Sequence, residues 1–435
     1  MNIKHIAEQV PKGDKQFDVI VAGGGPAGLG AALASAQAGA RTLLLEAKGF
    51  FGGVAAIALW MPMNRLMLDG GPRGGIHDIF VEKIKSFKDD ASAPAKQNFI
   101  DGDGLDIHPD YLKLAAFELL EEASCQYRLY SPVTDVVMKD KRVCGVVVQG
   151  KNNVQTYTAP VVVDATGDGD VAYKAGAKMV NGWEEDGRHM PISLVFALAN
   201  TDPDRFLEYL NMDKSPFKDV IEEAKAAGYS TAAWYGFDRT TIPGVLSVNN
   251  GAAFNLGSLD GTDEADLTLA ERVGIRVAVD FIELARRYKI PGLENCCLMR
   301  TGANVGIRDT RRLVGEYVMT VEDARQGTEF EDIVARKYGN IDANQLYIGK
   351  MKSGHGYPYR SMLPKEIDGL LVAGRCGSAT FLGHAAGKSM GNMMALGQAA
   401  GTAAALCSTD DVLPRHLKVS KLQKKLAESG VKLFD

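Results

Sequence analysis

Three glycines near the start of the chain have the spacing of a phosphate-binding turn. Gly23, Gly25 and Gly28 form the pattern G-x-G-x-x-G. The first permits a sharp turn, the second lets the backbone approach a pyrophosphate, and the third allows close packing of a helix on a strand. A helix after such a turn points unpaired N–H groups at the phosphates. Glu46 adds a carboxylate that can accept hydrogen bonds from both ribose hydroxyls. These residues predict a dinucleotide-binding site.

The flanking segments supply the elements that such a turn requires. The run FDVIVA at 17–22 is apolar and rich in β-branched residues, which predicts a buried strand. Residues 29–40 have small and apolar side chains at helical spacing, and the run RTLLLE at 41–46 predicts a second strand ending in the acid. Strand, glycine turn, helix, strand and acid in this order predict a βαβ dinucleotide-binding unit.

Composition and charge restrict the class of protein. The 435 residues are 46% hydrophobic and 24% charged, with a formal net charge of −5. The length favours two domains, and the absence of basic blocks argues against nucleic acid as a partner. No apolar run is long enough for a membrane span, and the N-terminus lacks the apolar core of a secretory signal, so we expect a cytoplasmic protein. The six cysteines include no C-x-x-C pair, which argues against a thioredoxin-like centre.

A second sheet is predicted after the βαβ unit. Alternating apolar residues, separated by lysine-rich turns, indicate an antiparallel meander. Its strands are predicted over 127–138, 142–149 and 156–164.

The middle of the chain has a different pattern. It contains irregular, glycine-containing sequence around 228–260 and a long helix predicted over 267–288. We interpret it as a substrate or cap domain inserted between two parts of a dinucleotide-binding domain. The predicted division is therefore 1–177, 178–354 and 355–435.

Arginines in the segment GIRDTRRLVGEYVMT leave two interpretations open. Arg308 and Arg312 would share one face of a helix, with Arg311 between them. In the first interpretation these side chains form salt bridges with nearby acids; in the second, one of them binds a substrate carboxylate in a bidentate manner. The acids considered for the salt bridges are Asp309, Glu316 and Glu322.

Acidic residues elsewhere do not predict a metal site. Asp168 and Asp170 lie in the run VVVDATGDGD, but no histidine or third carboxylate is in register with them. We interpret this stretch as an acidic loop, and no metal is predicted.

The glycine turn and two later segments resemble the glutathione-reductase-like flavoproteins, which bind FAD. The turn reads GGGPAG, and AKGFFGG follows Glu46. The strand VVVDATG resembles the second signature of that family, and GLLVAG with its glycine-rich loop and alanine-rich helix resembles the last part of its FAD domain. The resemblance implies FAD as cofactor, held by Gly23, Gly25, Pro26, Ala27, Gly28, Glu46, Ala47, Gly52, Gly53, Val54, Ala55, Val133, Ala165, Thr166, Gly167, Gly374, Arg375, Lys388, Ser389, Met390 and Asn392.

The whole chain is similar to a broad family of FAD-dependent oxidoreductases, distantly similar to the flavoprotein subunits of fumarate reductase and succinate dehydrogenase. The segments GIRDTRR, YRSMLP and LLVAGRC carry this resemblance. It implies an α/β fold in which a Rossmann-like FAD-binding domain, a parallel sheet plus an antiparallel β-meander, receives an inserted mixed α+β domain. Lys388 stands where we expect an arginine, so the charge is kept but the planar fork is lost.

These features predict an enzyme. There is no second G-x-G-x-x-G for NAD(P)H, and GRCGS replaces the G-D-A-A-H pattern of aromatic hydroxylases. We expect a dehydrogenase or oxidase that transfers a hydride between a small-molecule substrate and flavin N5 and uses an electron acceptor that the sequence does not name. The catalytic candidates are His384, His355 and Arg308, the histidines because imidazole titrates near neutral pH.

Alternatives stay open at this point. An electron-relay or non-catalytic flavoprotein subunit of a larger complex would expose a flat flavin edge, whereas an enzyme would have a closed pocket under the cap. An RNA-modifying flavoprotein is disfavoured by the missing basic surface. Cys376 is either a redox-active or flavin-linked thiol or an ordinary core residue. A homo-oligomer is compatible with the sequence.

Overall fold

The computed structural model describes most of the chain. Within this part, no helix is long and apolar enough to cross a membrane. The expectation that the N-terminus lacks a secretory signal concerns mainly residues 1–14, which lie outside the described residues. The described residues are 15–60, 73–87, 90–94, 105–344, 346–349, 351 and 354–434.

The first half of the chain alternates between short apolar strands and helices, as its periodicity indicates. In chain order its elements are β1 Val19–Ala22, α1 Pro26–Gln37, β2 Thr42–Leu45, α2 Val54–Ile57, α3 Ile76–Lys85, β3 Ser92–Pro94, β4 Leu105–Ile107, α4 Pro109–Glu122, β5 Gln126–Arg128, β6 Val133–Lys139, β7 Arg142–Gln149, β8 Val154–Thr158, β9 Val161–Asp164, α5 Asp170–Lys174 and β10 Met179–Val180.

The second half contains two long helices. In chain order its elements are β11 Phe196–Ala199, α6 Pro203–Leu210, α7 Phe217–Ala226, β12 Tyr235–Arg239, β13 Leu246–Asn250, α8 Glu264–Arg287, β14 Cys297–Thr301, β15 Arg312–Leu313, α9 Val321–Gln326, β16 Ile333–Lys337, β17 Ile341–Asp342, β18 Ile348–Gly349, β19 His355–Pro358, β20 Leu370–Val372, α10 Phe381–Ala385, α11 Met390–Asp410 and α12 Val419–Glu428.

A parallel sheet forms the centre of the molecule. Its strand order is β20-β9-β1-β2-β5, and every neighbouring pair is parallel. Strands β1, β2, β9 and β20 are buried on both faces, which explains their nearly continuous apolar sequences. Helices α1 and α11 cross so closely that a Cβ on Gly397 would lie 1.8 Å from the carbonyl oxygen of Ala27. The predicted α/β fold and its βαβ unit are confirmed.

The antiparallel meander is also confirmed, but two predicted strands were wrong in extent. The order β6-β7-β8 forms the meander. The strand predicted over 127–138 is two strands, since β5 joins the parallel sheet and Pro132 precedes β6. The strand predicted over 156–164 is likewise β8 of the meander and β9 of the parallel sheet. Pro160 separates them, because it has no N–H group to continue a ladder.

A second antiparallel sheet, β12-β13-β11-β14, lies in the middle of the chain and packs against α8. The prediction of irregular sequence at 228–260 was wrong, because β12 and β13 lie there. Their inward positions, including Phe237 and Val248, are buried. Helix α8 starts earlier than predicted, since the Asp263 side chain caps it through the N–H groups of Ala265 and Asp266.

The predicted domain division stays a prediction. Strand β16 lies before its last boundary and β19 directly after it, yet the two strands pair in an antiparallel manner. Strands β16 and β19 therefore form one local sheet across this predicted boundary.

Candidate active site

A cavity of about 510 Å³ lies at the carboxyl edge of the parallel sheet. Its wall combines residues that follow β1, β2, β9 and β20 with residues of the middle sheet region, among them Ser193, Asn249 and Asn304. The sequence-predicted residues found in the wall are Gly23, Gly25, Pro26, Ala27, Glu46, Ala47, Gly53, Val54, Val133, Ala165, Thr166, Gly167, Arg308, Gly374, Arg375, His384, Lys388, Ser389 and Met390.

Three predicted cofactor residues support the wall without lining it. A Cβ on Gly28 would lie 1.6 Å from the carbonyl oxygen of Gly23, so glycine is required where α1 crosses the turn. A Cβ on Gly52 would lie 2.4 Å from Leu112. Ala55 is buried in the core beside this turn. These residues set the shape of the turn.

Two further predicted residues lie behind the wall. Asn392 accepts a hydrogen bond from the Tyr338 amide at 3.1 Å and donates to the carbonyls of Tyr338 and Gly387, at 2.7 and 2.8 Å. It thereby holds the loop that carries Lys388. His355 is buried in β19, and burial lowers its pKa to about 3, with Lys337 and Arg336 adding to the effect. The structure does not bring His355 to the cavity.

Glu46 forms one end of the cavity, at the end of β2. Its two carboxylate oxygens each accept a main-chain N–H, from Gly24 and from Lys48, both at 2.7 Å. These bonds fix the orientation of a carboxylate that is only 8% exposed, and burial raises its pKa. The remaining lone pairs are available for a ligand. The predicted pairing with both ribose hydroxyls stays a prediction.

Asp164, which the sequence analysis did not select, orders the second signature. One of its oxygens accepts from the amide and the hydroxyl of Thr166, at 3.1 and 2.8 Å, and the other accepts from the Ala172 amide at 2.8 Å. Burial raises its pKa to about 6. The acid at the end of the run VVVD was the sequence signal for this role.

The acids of the following loop are paired with arginines. Asp168 accepts from Arg375 at 2.5 Å and from the Thr310 hydroxyl at 2.8 Å, and Asp170 accepts from Arg311 at 2.5 Å. Among the described residues, no group of three or more metal-ligating side chains is present.

The arginines Arg311 and Arg312 do form salt bridges, but with acids other than those considered from the sequence. The segment around Arg308 is not helical, so Arg308 and Arg312 do not share a helical face. The three acids considered as salt-bridge partners contact other residues. Asp309 contacts His189, Glu316 contacts Arg415 and Glu322 contacts Arg325. Arg312 instead pairs with Glu184 at 2.9 Å.

The other end of the cavity contains Arg308, His384 and Lys388. His384 is 4% exposed and its Nε2 lies 2.9 Å from the Arg308 carbonyl. Because a carbonyl only accepts, Nε2 carries the proton and Nδ1 is an acceptor. Burial lowers the pKa of His384 well below its usual value, so the imidazole is neutral at physiological pH.

Lys388 is the second group at this end whose protonation is perturbed. Its Nζ donates to the Asp342 carbonyl and lies 3.7 Å from the Asp342 carboxylate. Burial lowers its pKa to about 8, opposed by the charge of Asp342. Behind it, burial and the nearby Lys388 lower the pKa of Lys337 to about 7. Lys337 and Lys388, which both have lowered pKa values, therefore lie close together.

Two helix N-termini meet the cavity and make it suitable for FAD. Gly25 directly precedes α1 and Ser389 directly precedes α11, and neither residue makes a side-chain hydrogen bond that caps its helix. The Ser389 hydroxyl is buried and has no hydrogen-bond partner among the residues that the structure describes. The first-turn N–H groups are therefore available to the negatively charged parts of a ligand. Together with Glu46 and the side-chain-free surface of Gly23 and Gly25, these groups fit a dinucleotide.

Cys376 is an ordinary core residue. It is fully buried and outside the cavity wall, and burial raises its pKa well above its usual value. A thiol in this environment is a poor nucleophile. Of the two interpretations of this cysteine, the core residue agrees with the structure.

The sequence analysis missed residues from the middle of the chain. Ser193, Asn249 and Asn304 line the cavity but belong to no recognisable motif. Lys48 had a signal, a cation two positions after Glu46, and its Nζ donates to the Asn304 side chain. This bond joins the dinucleotide turn to the middle sheet region.

The fold and the cavity define a flavoprotein that binds FAD at the edge of a parallel sheet. The chain belongs to the family described as FAD dependent oxidoreductase, whose model matches residues 18–426. It is thus an FAD-dependent enzyme, as the sequence motifs predicted.

Individual relatives are more distant. The chain is 29% identical over 278 residues to a thiamine thiazole synthase of Aeropyrum pernix, covering 60% of this chain and 86% of the relative. A geranylgeranyl bacteriochlorophyll reductase-like protein from Thermoplasma acidophilum matches with a TM-score of 0.50 and 17% identity, over 96% of this chain and 84% of that chain. A p-nitrophenol 4-monooxygenase from Pseudomonas putida matches with 0.50 and 13%, over 96% and 85%. The two structures establish the fold alone.

Proposed function

We propose that this enzyme is a dehydrogenase or oxidase that transfers a hydride between a small organic substrate and N5 of FAD. The observation that carries the proposal is the composition of the cavity wall. It joins the dinucleotide turn to Ser193, Asn249 and Arg308 of the middle region. A wall shared by the two regions would bring a substrate held by the middle region against the cofactor, whereas an electron-relay subunit needs only an exposed flavin edge.

The chain's own residues would position both molecules. The backbone at Gly23 and Gly25 and the N-terminus of α1 would hold the pyrophosphate, Glu46 would hold the ribose, and the N-terminus of α11 would stabilise negative charge on the flavin. When bound, FAD supplies the ability to accept or donate a hydride. Hydride transfer requires the two reacting atoms about 3–3.5 Å apart, which makes orientation by the wall essential.

A proton must move when a C–H bond next to a hydroxyl or amine is oxidised. His384 offers Nδ1 as an acceptor toward the cavity, but its neutral form is so strongly favoured that it holds a proton poorly. The Lys388 amine, with a pKa of about 8, is better matched to neutral pH. We therefore assign Lys388 to the movement of the proton and His384 to the orientation of the substrate hydroxyl or amine.

Anaerobic reduction of the purified protein tests this function. We expect a yellow protein that releases FAD on denaturation and is bleached by at least one member of a panel of alcohols, amines, hydroxy acids and enoate-forming acids. Because the sequence contains one dinucleotide turn, stopped-flow mixing with NADH or NADPH should give no fast, saturable bleaching. Fast bleaching by either nucleotide would make the enzyme a reductase, and a protein bleached by no organic donor would favour the electron-relay alternative.

A further inference from the structure

Arg308 differs from the other arginines near the cavity in its partners. Its Nη1 donates to the Pro191 carbonyl and to the Ser193 hydroxyl, the latter at 2.7 Å, and its Nη2 donates to the Asn249 side-chain oxygen at 3.1 Å. All three acceptors are uncharged. Among the described residues, no carboxylate oxygen lies within the 4.0 Å that defines an ion pair with this guanidinium.

Each of the neighbouring arginines has a carboxylate. Arg311 contacts Asp170 at 2.5 Å, Arg312 contacts Glu184 at 2.9 Å and Arg375 contacts Asp168 at 2.5 Å. These three side chains are therefore neutralised inside the protein. Arg308 is the exception within a group that is close in sequence and in space.

The acids nearest to Arg308 are already committed to other groups. Asp309 is buried, and its carboxylate binds the His189 ring at 3.1 Å and the Met190 amide at 2.6 Å. Asp342 lies beside Lys388 and is half-exposed. The charges of Asp342 and Asp309 act on Arg308 only from a distance, and no described carboxylate contacts it. A partly buried guanidinium without such a contact is unfavourable, so an external anion would gain free energy from binding there.

The geometry of Arg308 is suited to a planar anion. The guanidinium lies over the Trp234 ring, 5.6 Å from its centroid, and this contact and three hydrogen bonds fix its plane. The Nε–H and one Nη2–H have no partner among the described residues. These two nitrogens share one edge of the guanidinium, and such an edge binds both oxygens of a carboxylate.

Burial lowers the pKa of Arg308 to about 10, so the side chain stays charged throughout the physiological range. Lys388 lies in the same wall and adds positive charge to this end. At the opposite end the charged side chains of Glu46 and Asp168 are held by main-chain N–H groups or arginines.

We propose that Arg308 binds the carboxylate of the substrate, and that the enzyme therefore acts on a small carboxylic acid such as a hydroxy, amino or saturated acid. This inference rests on the proposed function for the reaction itself, but the binding of a carboxylate is a separate property of the FAD-loaded protein. The oxidised carbon then lies near the carboxyl group, within reach of His384 and Lys388 in the same wall.

The test is a titration of the FAD-loaded protein with propionate and with propionamide, followed by the change in flavin absorbance. Propionate should perturb the spectrum with a saturable Kd, and propionamide, which has the same shape without the charge, should bind at least tenfold more weakly. Arg308→Gln should raise the Kd for propionate at least tenfold. Asn249→Asp, which places a carboxylate 3.1 Å from Nη2 with almost no change in volume, should have the same effect.

A matched control is available in Arg188. Its guanidinium also lies 5.6 Å from a tryptophan ring, that of Trp183, but it is paired with Asp186 and lies outside the cavity wall. Arg188→Gln should leave the Kd for propionate within twofold of the wild-type value. FAD content, measured by absorbance after gel filtration, should be the same in all four proteins.

Several results would overturn the inference. Equal binding of propionate and propionamide would do so, as would a wild-type Kd for propionate in Asn249→Asp. If Arg308→Gln loses FAD while Asn249→Asp retains it and binds propionate normally, the arginine serves the cofactor instead. Bleaching by uncharged alcohols or amines but by no carboxylic acid would leave the proposed function standing and remove the carboxylate site. Conversely, tight binding of propionate without bleaching by any organic donor would support the site and contradict the proposed function.

Discussion

The two ends of the cavity satisfy their charges in different ways. At the end formed by Glu46 and Asp168, carboxylates are held by main-chain N–H groups or by arginines. At the end formed by Arg308, His384 and Lys388, the Arg308 guanidinium donates only to uncharged oxygens among the described residues, and burial lowers the pKa of Lys388 to about 8. The first end is complete without a substrate, whereas the second has unused positive charge. We infer that the first end holds the permanently bound cofactor and that the second end binds the substrate, which is exchanged in each turnover.

The largest effect is expected from a substitution of Glu46, at the first end, on the affinity for FAD. Glu46→Arg should lower FAD affinity by about 1,000-fold, or about 4 kcal/mol, because a cation cannot accept the two N–H bonds and adds an unpaired buried charge. Isothermal titration of the apoprotein with FAD measures it. Glu46→Gln, which keeps one acceptor, should lose less affinity. Wild-type affinity in Glu46→Arg would mean that the cofactor does not lie against this residue.

A second substitution tests how much Asp164 contributes to the stability of the folded protein. Asp164→Ala should lower the free energy of unfolding by about 3 kcal/mol, because the amides of Thr166 and Ala172 lose their acceptor in a buried turn. Urea denaturation of the FAD-free protein measures it. Asp213→Ala, at an exposed position, is the control. It should change the free energy of unfolding by no more than about 0.5 kcal/mol, as is usual for a surface substitution.

The second end is tested through the protonation of Lys388. Its ammonium form is present below a pH of about 8, so the affinity for propionate should fall by about tenfold as the pH rises through 8. Lys388→Arg should abolish this dependence, because a guanidinium stays charged. Lys337→Met, which removes the neighbouring lysine with a pKa of about 7, should retain the step near pH 8. An unchanged pH profile in Lys388→Arg would contradict the assignment.

The smallest effect is expected at His384. His384→Gln should retain the flavin spectrum and slow anaerobic flavin reduction about threefold, since an amide oxygen can replace Nδ1 as an acceptor in part. The pH profile between 6 and 9 should not change, because the neutral imidazole does not titrate there. Full activity at every pH would remove His384 from the site, and a lost step in the profile would show that the imidazole carries the proton.

The residues of the first end could be predicted from the sequence, whereas most contacts of the second end could not. The first end depends on Gly23, Gly25, Gly28 and Glu46, which lie within one local unit, so spacing alone placed them. The second end depends on contacts between distant segments: Arg308 reaches Ser193 and Asn249, which carry no motif. Local spacing suggested a helical face for the arginines, but tertiary contacts placed each arginine on a different acid or, for Arg308, on none.

Errors in the fold have a similar physical origin. Pro160 lies between β8 and β9, which belong to different sheets, and the nearly continuous strand-like sequence around it concealed the change of sheet. In β12 the buried Phe237 is flanked by Gly236 and Asp238, which hides the alternation of a strand. In both cases the competing partner strand, and not local propensity, decides the structure.

The bond between Lys48 and Asn304 joins residues that are 256 positions apart, and Arg375 meets Thr310 across 65 positions. Contacts between such distant residues form late, because the chain must first lose the entropy of closing large loops. The cavity is therefore finished only when almost the whole polypeptide has folded. We therefore expect tight binding of the yellow cofactor only after these distant segments have come together.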